Sequence, residues 1–206
     1  AFSLALIVNT VTAGTASAHV KWFCAFNVGG QPRGLENVLC PDFELLFGAA
    51  KMGAVMCTLH ASGGRPMLQA AKEAVTQSGS PMRLLAVTIL TSLDPHGYEE
   101  AIGSGLGLQA HVIRLASLAR EAGMDGIVAS THEIAPLRGA LGPSMLIVTP
   151  GVRPEWAPAD DQLRVMTPRE AAAAGADYLV IGRPITTAAD PAAAARRVLG
   201  ELPQTV

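Results

Sequence analysis

Aromatic residues are scarce: Phe, Trp and Tyr make up 4% of the 206 residues, too few for base-stacking platforms. Charge is scarce as well, at 16% of residues with a formal net charge of -2. That argues against a general nucleic-acid surface. The three cysteines, Cys24, Cys40 and Cys57, are odd in number and show no CxxC spacing. A disulfide framework or zinc site is therefore disfavoured, and a reducing, cytoplasmic compartment is the expectation. No run reaches the roughly 18 apolar residues of a membrane span. No G-x-G-x-x-G opens a helix after a strand. Gly103-Ser104-Gly105-Leu106-Gly107 only approximates one and reads as loop, so a dinucleotide site is not supported.

What remains is half apolar, with positive mean hydropathy. It predicts one folded domain over 1–206 with a sizeable core. Residues 1–18 have an apolar centre ending in Ala16-Ser17-Ala18, like a secretory signal. No basic segment precedes that run, and Asn9, Thr10 and Thr12 interrupt it. Residues 1–48 show weak periodicity, with strand-like pieces at Phe2–Val8 and Val20–Phe26. Glu44–Met52 reads as a short helix.

From Gly53 the pattern becomes regular. Strands are predicted at Ala54–Leu59, Leu84–Leu90, Gly126–Ala129, Met145–Thr149 and Tyr178–Ile181. Helices are predicted at Pro66–Thr76, Leu108–Ala122, from Ser130 through Ala140, after Thr167-Pro168-Arg169-Glu170, and at Asp190–Leu199. Five β-α units with short apolar strands imply a parallel sheet covered by helices. Polar and Gly residues gather after the strands. That is the functional face of a (β/α)₈ barrel or of an open doubly wound sheet. The barrel is preferred because candidate ligand residues follow nearly every strand.

Met145–Gln162 and Asp177–Pro184 are two units of one kind, each an apolar strand, then Gly, then Arg. They put Arg153 and Arg183 at the same end of a sheet. Two guanidinium forks there suit a phosphate, helped by backbone N–H groups at Gly151 and Gly182. The alternative is two solvated loop arginines. Gln162, in the loop after Arg153, offers an amide that suits a pyrimidine edge, or is a plain polar loop residue. Thr91 and Ser92 offer hydroxyls to the same mouth, or cap a turn. His60 reads as an acid/base or, by preference, as a structural histidine bonded to a neighbouring strand. Ser62 has no paired base in view, so no serine nucleophile is proposed. Asp125 and Asp177, just before strands, read as structural.

The order HASGG at 60–64, AVTILTS at 86–92, VTPGVRP at 148–154, ADDQLRVMTPREAAAAGADYLVIGRPIT at 159–186 and ADPAAAA at 189–195 resembles bacterial orotidine 5′-monophosphate decarboxylases. The resemblance covers about residues 49–200. It implies a (β/α)₈ barrel, a homodimer, and conversion of orotidine 5′-phosphate to UMP and CO₂ in pyrimidine biosynthesis. It implies no metal or organic cofactor, no nucleic acid and no membrane. Carried across by motif, Arg153, Gly182 and Arg183 would hold the phosphate. Gln162 would bridge phosphate and base, and Thr91 and Ser92 would face the base. The family's Lys-Asp-Lys-Asp network has no matching segment. In its nearest echo, residues 1–10, Asn9 and Thr10 match, and would contact substrate, while Ala1, Ser3 and Leu6 stand where the family has Asp, Lys and Asp. No catalytic residue is therefore assigned. Lys21 and Lys51 lie outside any matching motif. A catalytically dead nucleotide-binding remnant, or another phosphate-binding barrel enzyme, are the rival expectations.

Overall fold

A computed structural model describes Leu46, residues 49–157 and residues 166–203. The expectations placed on Ala1, Ser3, Leu6, Asn9, Thr10, Lys21 and Gln162 fall outside the described residues.

Five parallel strands form one sheet in sequence order: β1 (Met56–His60), β2 (Arg83–Val87), β3 (Gly126–Val128), β4 (Leu146–Pro150) and β5 (Tyr178–Val180). The crossovers contain α1 (Gly64–Ser78), α2 (Pro95–Ile102), α3 (Leu108–Glu121), α4 (Ile134–Leu141) and α5 (Pro168–Ala174). Two more helices, α6 (Arg183–Thr186) and α7 (Pro191–Glu201), follow β5. Strands that stay adjacent in chain order, each followed by a helix, are the β/α wall of the (β/α)₈ barrel fold. Among the described residues no helix is long and apolar enough to cross a membrane.

Local chemistry explains the elements. The α1 helix stops at Gly79, whose positive φ of 68° lets its N–H close the last turn on the Thr76 carbonyl, a stop that favours glycine. Asp94 caps α2 by accepting from Gly97 N at 2.7 Å, with Pro95 as its first residue, the pairing of acidic cap and early proline that opens helices well. This helix is absent from the sequence expectations. Ser130 opens a short 3₁₀ turn, Thr131–Glu133, that leads into α4. The Glu133 carboxylate accepts from Ser130 N there at 2.8 Å. Thr167 and Glu170 form the expected capping box at α5.

The two faces of the sheet differ. Leu59, Leu84, Ala86, Ile127, Ile147 and Leu179 pack against the helices in one continuous core. The helices contribute Leu68, Val75, Val112, Ala116, Leu137 and Val198 to it. The opposite face carries Thr58, Leu85, Gly126 and Leu146 in register. Gly126 is needed there: a Cβ would meet Leu146 Cβ and Leu85 Cδ2 at 2.7 Å. On the same face the Arg83 guanidinium donates to the Tyr178 hydroxyl at 3.2 Å.

The N-terminal ends of the strands are tied by polar groups. Asp125 Oδ2 accepts from Leu84 N at 2.8 Å, and Oδ1 from Lys72 Nζ at 2.8 Å. Asp177 accepts from Ile147 N at 2.7 Å and from the Arg138 guanidinium. Arg138 also donates to the carbonyls of Gly175 (2.9 Å), Met145 (2.6 Å) and Gly142 (3.2 Å). Both aspartates thus take the structural role expected of them.

Candidate functional site at the C-terminal ends of the strands

The last paired residues of β4 and β5 are Pro150 and Val180. Arg153 and Arg183 each lie three residues beyond that pair, on the segments that follow two adjacent parallel strands at their C-terminal ends. After Gly151 (φ 77°) the chain has left the five-stranded sheet but is held by an isolated parallel bridge. Val152 bridges Met166, and Arg153 N donates to the Met166 carbonyl at 2.9 Å. Arg153 is only 8% exposed. Arg183 opens α6 and is exposed. Its carbonyl accepts from the Thr187 hydroxyl at 2.8 Å. Gly182, also exposed, is the residue before that helix, and its carbonyl accepts from Ile185 N (2.9 Å) and Thr186 N (3.0 Å). A buried and an exposed guanidinium on neighbouring strand ends can grip an anion from two sides.

Met166 is followed directly by the α5 capping box. There Thr167 N and Oγ1 donate to Glu170 Oε2 at 2.8 and 2.9 Å. The bond from the Thr167 backbone, then that from its hydroxyl, holds the Glu170 carboxyl below its ordinary value. Met166 and Thr167 are thereby held at consecutive positions, the first by Val152 and Arg153 and the second by Glu170.

Thr91 and Ser92 do not end a strand. The β2 strand stops at Val87, and the two hydroxyls sit in a turn closed by Leu93 N to the Leu90 carbonyl at 3.0 Å. Thr91 is half-buried and Ser92 exposed. The turn leads through Asp94 into α2, so the two hydroxyls lie four and five residues past the C-terminal end of β2. His60 is the last residue of β1 and is exposed. The bond to a neighbouring strand expected of it is not formed among the described residues. Ser62 lies in the exposed part of the 3₁₀ turn Ala61–Gly63.

The sequence holds three lysines, of which Lys51 and Lys72 are described. Lys72 is bound to Asp125 at the opposite end of the sheet. Lys51 precedes β1, whose five residues separate it from the mouth. At the usual rise of a strand that is a span of about 16 Å. Neither reaches the arginines.

A cleft of about 600 Å³ lies between the start of α1 and α3, lined by Ser62, His111, Arg114 and Glu121 among others. It contains none of the expected substrate-binding residues. Two residues near the mouth escape the sequence reading. Trp156 lies in the turn after Arg153, and Arg197 on α7 stacks on its ring at 4.6 Å from the centroid. Neither carries a local motif.

A comparison with protein families matches residues 43–198 to the orotidine 5′-phosphate decarboxylase / HUMPS family. The chain belongs to this family. A protein from Trichlorobacter lovleyi named orotidine 5′-phosphate decarboxylase is 51% identical over 162 residues, 77% of this chain and 67% of that protein. The protein of that name from Moorella thermoacetica is 50% identical over 74% of this chain and 62% of its own length. The chain thus spans roughly two thirds or less of these relatives. Among solved structures, orotidine 5′-phosphate decarboxylase from Lactobacillus acidophilus superposes with a TM-score of 0.69 at 33% identity, covering 79% of this chain and 70% of that one. An uncharacterized conserved protein from Geobacillus kaustophilus gives 0.66 at 36% identity, with the same coverage.

Proposed function

We propose that this chain binds the 5′-phosphate of a pyrimidine nucleotide at the mouth formed by β4 and β5, and that the protein it represents converts orotidine 5′-phosphate to UMP and CO₂. The observation that supports the binding half is that β4 and β5 are adjacent and parallel, and each is followed three residues after its last paired residue by an arginine, Arg153 and Arg183. Gly182, Gln162, Thr91 and Ser92 complete the contacts with phosphate and base, and Asn9 and Thr10 belong to the same substrate set. The homodimer, the cytoplasmic location and the absence of any cofactor are what family membership implies.

Calorimetry with UMP tests the binding half. Arg153→Ala and Arg183→Ala should each weaken UMP by roughly 10- to 150-fold, the loss of a charged hydrogen-bonding partner. A folded sample that takes up no UMP refutes the clamp.

A second possibility is favoured by one observation: neither described lysine lies at the mouth. Loss of CO₂ leaves carbanion character on the ring carbon, which a cation beside it stabilises and protonates. A chain without that cation binds UMP and turns nothing over. Release of CO₂ from orotidine 5′-phosphate separates the two.

A further inference from the structure

We propose that Arg197 and Trp156 are positioning residues, through which the terminal helix α7 sets the loop that carries Arg153. This rests on the phosphate site proposed above. Arg153, Pro154, Glu155 and Trp156 are consecutive, and the turn is closed by Ala157 N to the Pro154 carbonyl at 3.0 Å. Pro154 is buried, so the turn has little freedom of its own. Trp156 packs against the main hydrophobic core. Arg197 covers its ring from outside, with its guanidinium carbon 4.6 Å from the centroid.

The contact is one of ring and cation rather than of hydrogen bonding. The indole Nε1 is buried and makes no hydrogen bond among the described residues. Leaving such a donor unmade is costly, so what the tryptophan contributes here is its ring face. A cation over an indole is the strongest pairing of this type. The same short loop is held from the other side by the Val152–Met166 bridge and the Arg153 N–H bond. Arg153 therefore sits between two anchors, one on its backbone and one three residues on. Loosening the second lets the buried guanidinium drift from the phosphate position without unfolding the barrel.

Four variants test this: Arg197→Ala, Arg197→Lys, Trp156→Phe and Trp156→Ala, with Arg196→Ala as the exposed neighbour on the same helix. Calorimetry would compare UMP with uridine, which lacks the phosphate. Arg197→Ala and Trp156→Ala should weaken UMP by roughly 3- to 30-fold, the worth of the stack, and leave uridine unchanged. Arg197→Lys should recover part of the loss. Trp156→Phe, which keeps a ring and removes the unbonded N–H, should stay near the parent, as should Arg196→Ala. Without any ligand, the Arg153 amide should exchange faster in Arg197→Ala while the Ile147 amide does not. Equal weakening of UMP and uridine, or an unchanged Arg153 amide, overturns the positioning role. A parent protein that binds no UMP refutes the phosphate site instead, and the exchange result still judges the anchor.

Discussion

Replacing Arg138 by alanine should remove the main tie between α4 and the starts of β4 and β5. The side chain makes three bonds to carbonyls, at Gly175, Met145 and Gly142, and one to the Asp177 carboxylate. A hydrogen bond from a charged donor is worth about 1.5–3 kcal/mol when no water replaces it. Here the arginine and aspartate side chains are 19% and 34% exposed. Water therefore recovers a large share of the interaction. The expected loss is then about 3 kcal/mol, well short of the sum of four full bonds. For a chain of this size that is a fall in Tm of about 6–12 °C. Arg138→Lys should recover no more than about half of it, since one ammonium cannot reach three carbonyls and a carboxylate in the fork geometry. Thermal melts followed by circular dichroism read both. UMP affinity below the transition should stay unchanged, because the cluster sits at the opposite end of the strands from Arg153. A fall in Tm under about 3 °C, against the roughly 2–4 °C expected per kcal/mol, would refute the hub. So would full rescue by lysine.

Three other outcomes are expected. The methyl of Gly126→Ala would meet Leu146 Cβ, Leu85 Cδ2 and the Leu146 carbonyl within 2.8 Å. Overpacking of that kind should destabilise by about 1–3 kcal/mol, which urea unfolding measures. The Glu170 carboxyl is lowered, so its contribution to stability is present above the unfolded pKa and lost as pH falls through the folded one. An NMR titration should find Glu170 below an ordinary glutamate, and Thr167→Val should return it toward that value. Burial pushes the Cys57 thiol up, so in a Cys24→Ser, Cys40→Ser background it should react with a disulfide reagent more slowly than a free thiol in mildly alkaline buffer. Denaturant should restore the rate, and fast labelling of the folded protein would contradict the burial.

The strands are legible because parallel strands covered by helices are short apolar runs. The expected Met145–Thr149 and Tyr178–Ile181 differ from β4 and β5 by no more than a single residue at either end. Leu84–Leu90 is too long an expectation. Its apolar character continues through Ile89 and Leu90, but the strand ends at Val87 and the last bond to β3 is from Thr88 N to the Val128 carbonyl. Helix α2 has a signal in Asp94-Pro95, yet it is short, contains Gly97 and buries only Tyr98, so no apolar period marks it. The adjacency of the strands that precede Arg153 and Arg183 is readable, since it depends on two successive apolar runs ending alike. The Arg138 hub and the Trp156–Arg197 stack are not. Their partners come from distant stretches, and no local pattern announces them.

Lys72 and Asp125 around the Leu84 amide, and Arg138 and Asp177 around the Ile147 amide, are the same arrangement twice. In each, a cation on the helix before one strand and a carboxylate before the next meet at an N–H near the start of the first strand. The wall is therefore stitched two strands at a time, β2 to β3 and β4 to β5, with no equivalent carboxylate-to-amide stitch seen between β3 and β4 among the described residues. Each stitched pair is a candidate cooperative unit in folding. The Leu84 and Ile147 amides should be among the last in their pairs to exchange, and the β1–β2 and β3–β4 seams, which carry no such stitch among the described residues, the first places where the wall opens.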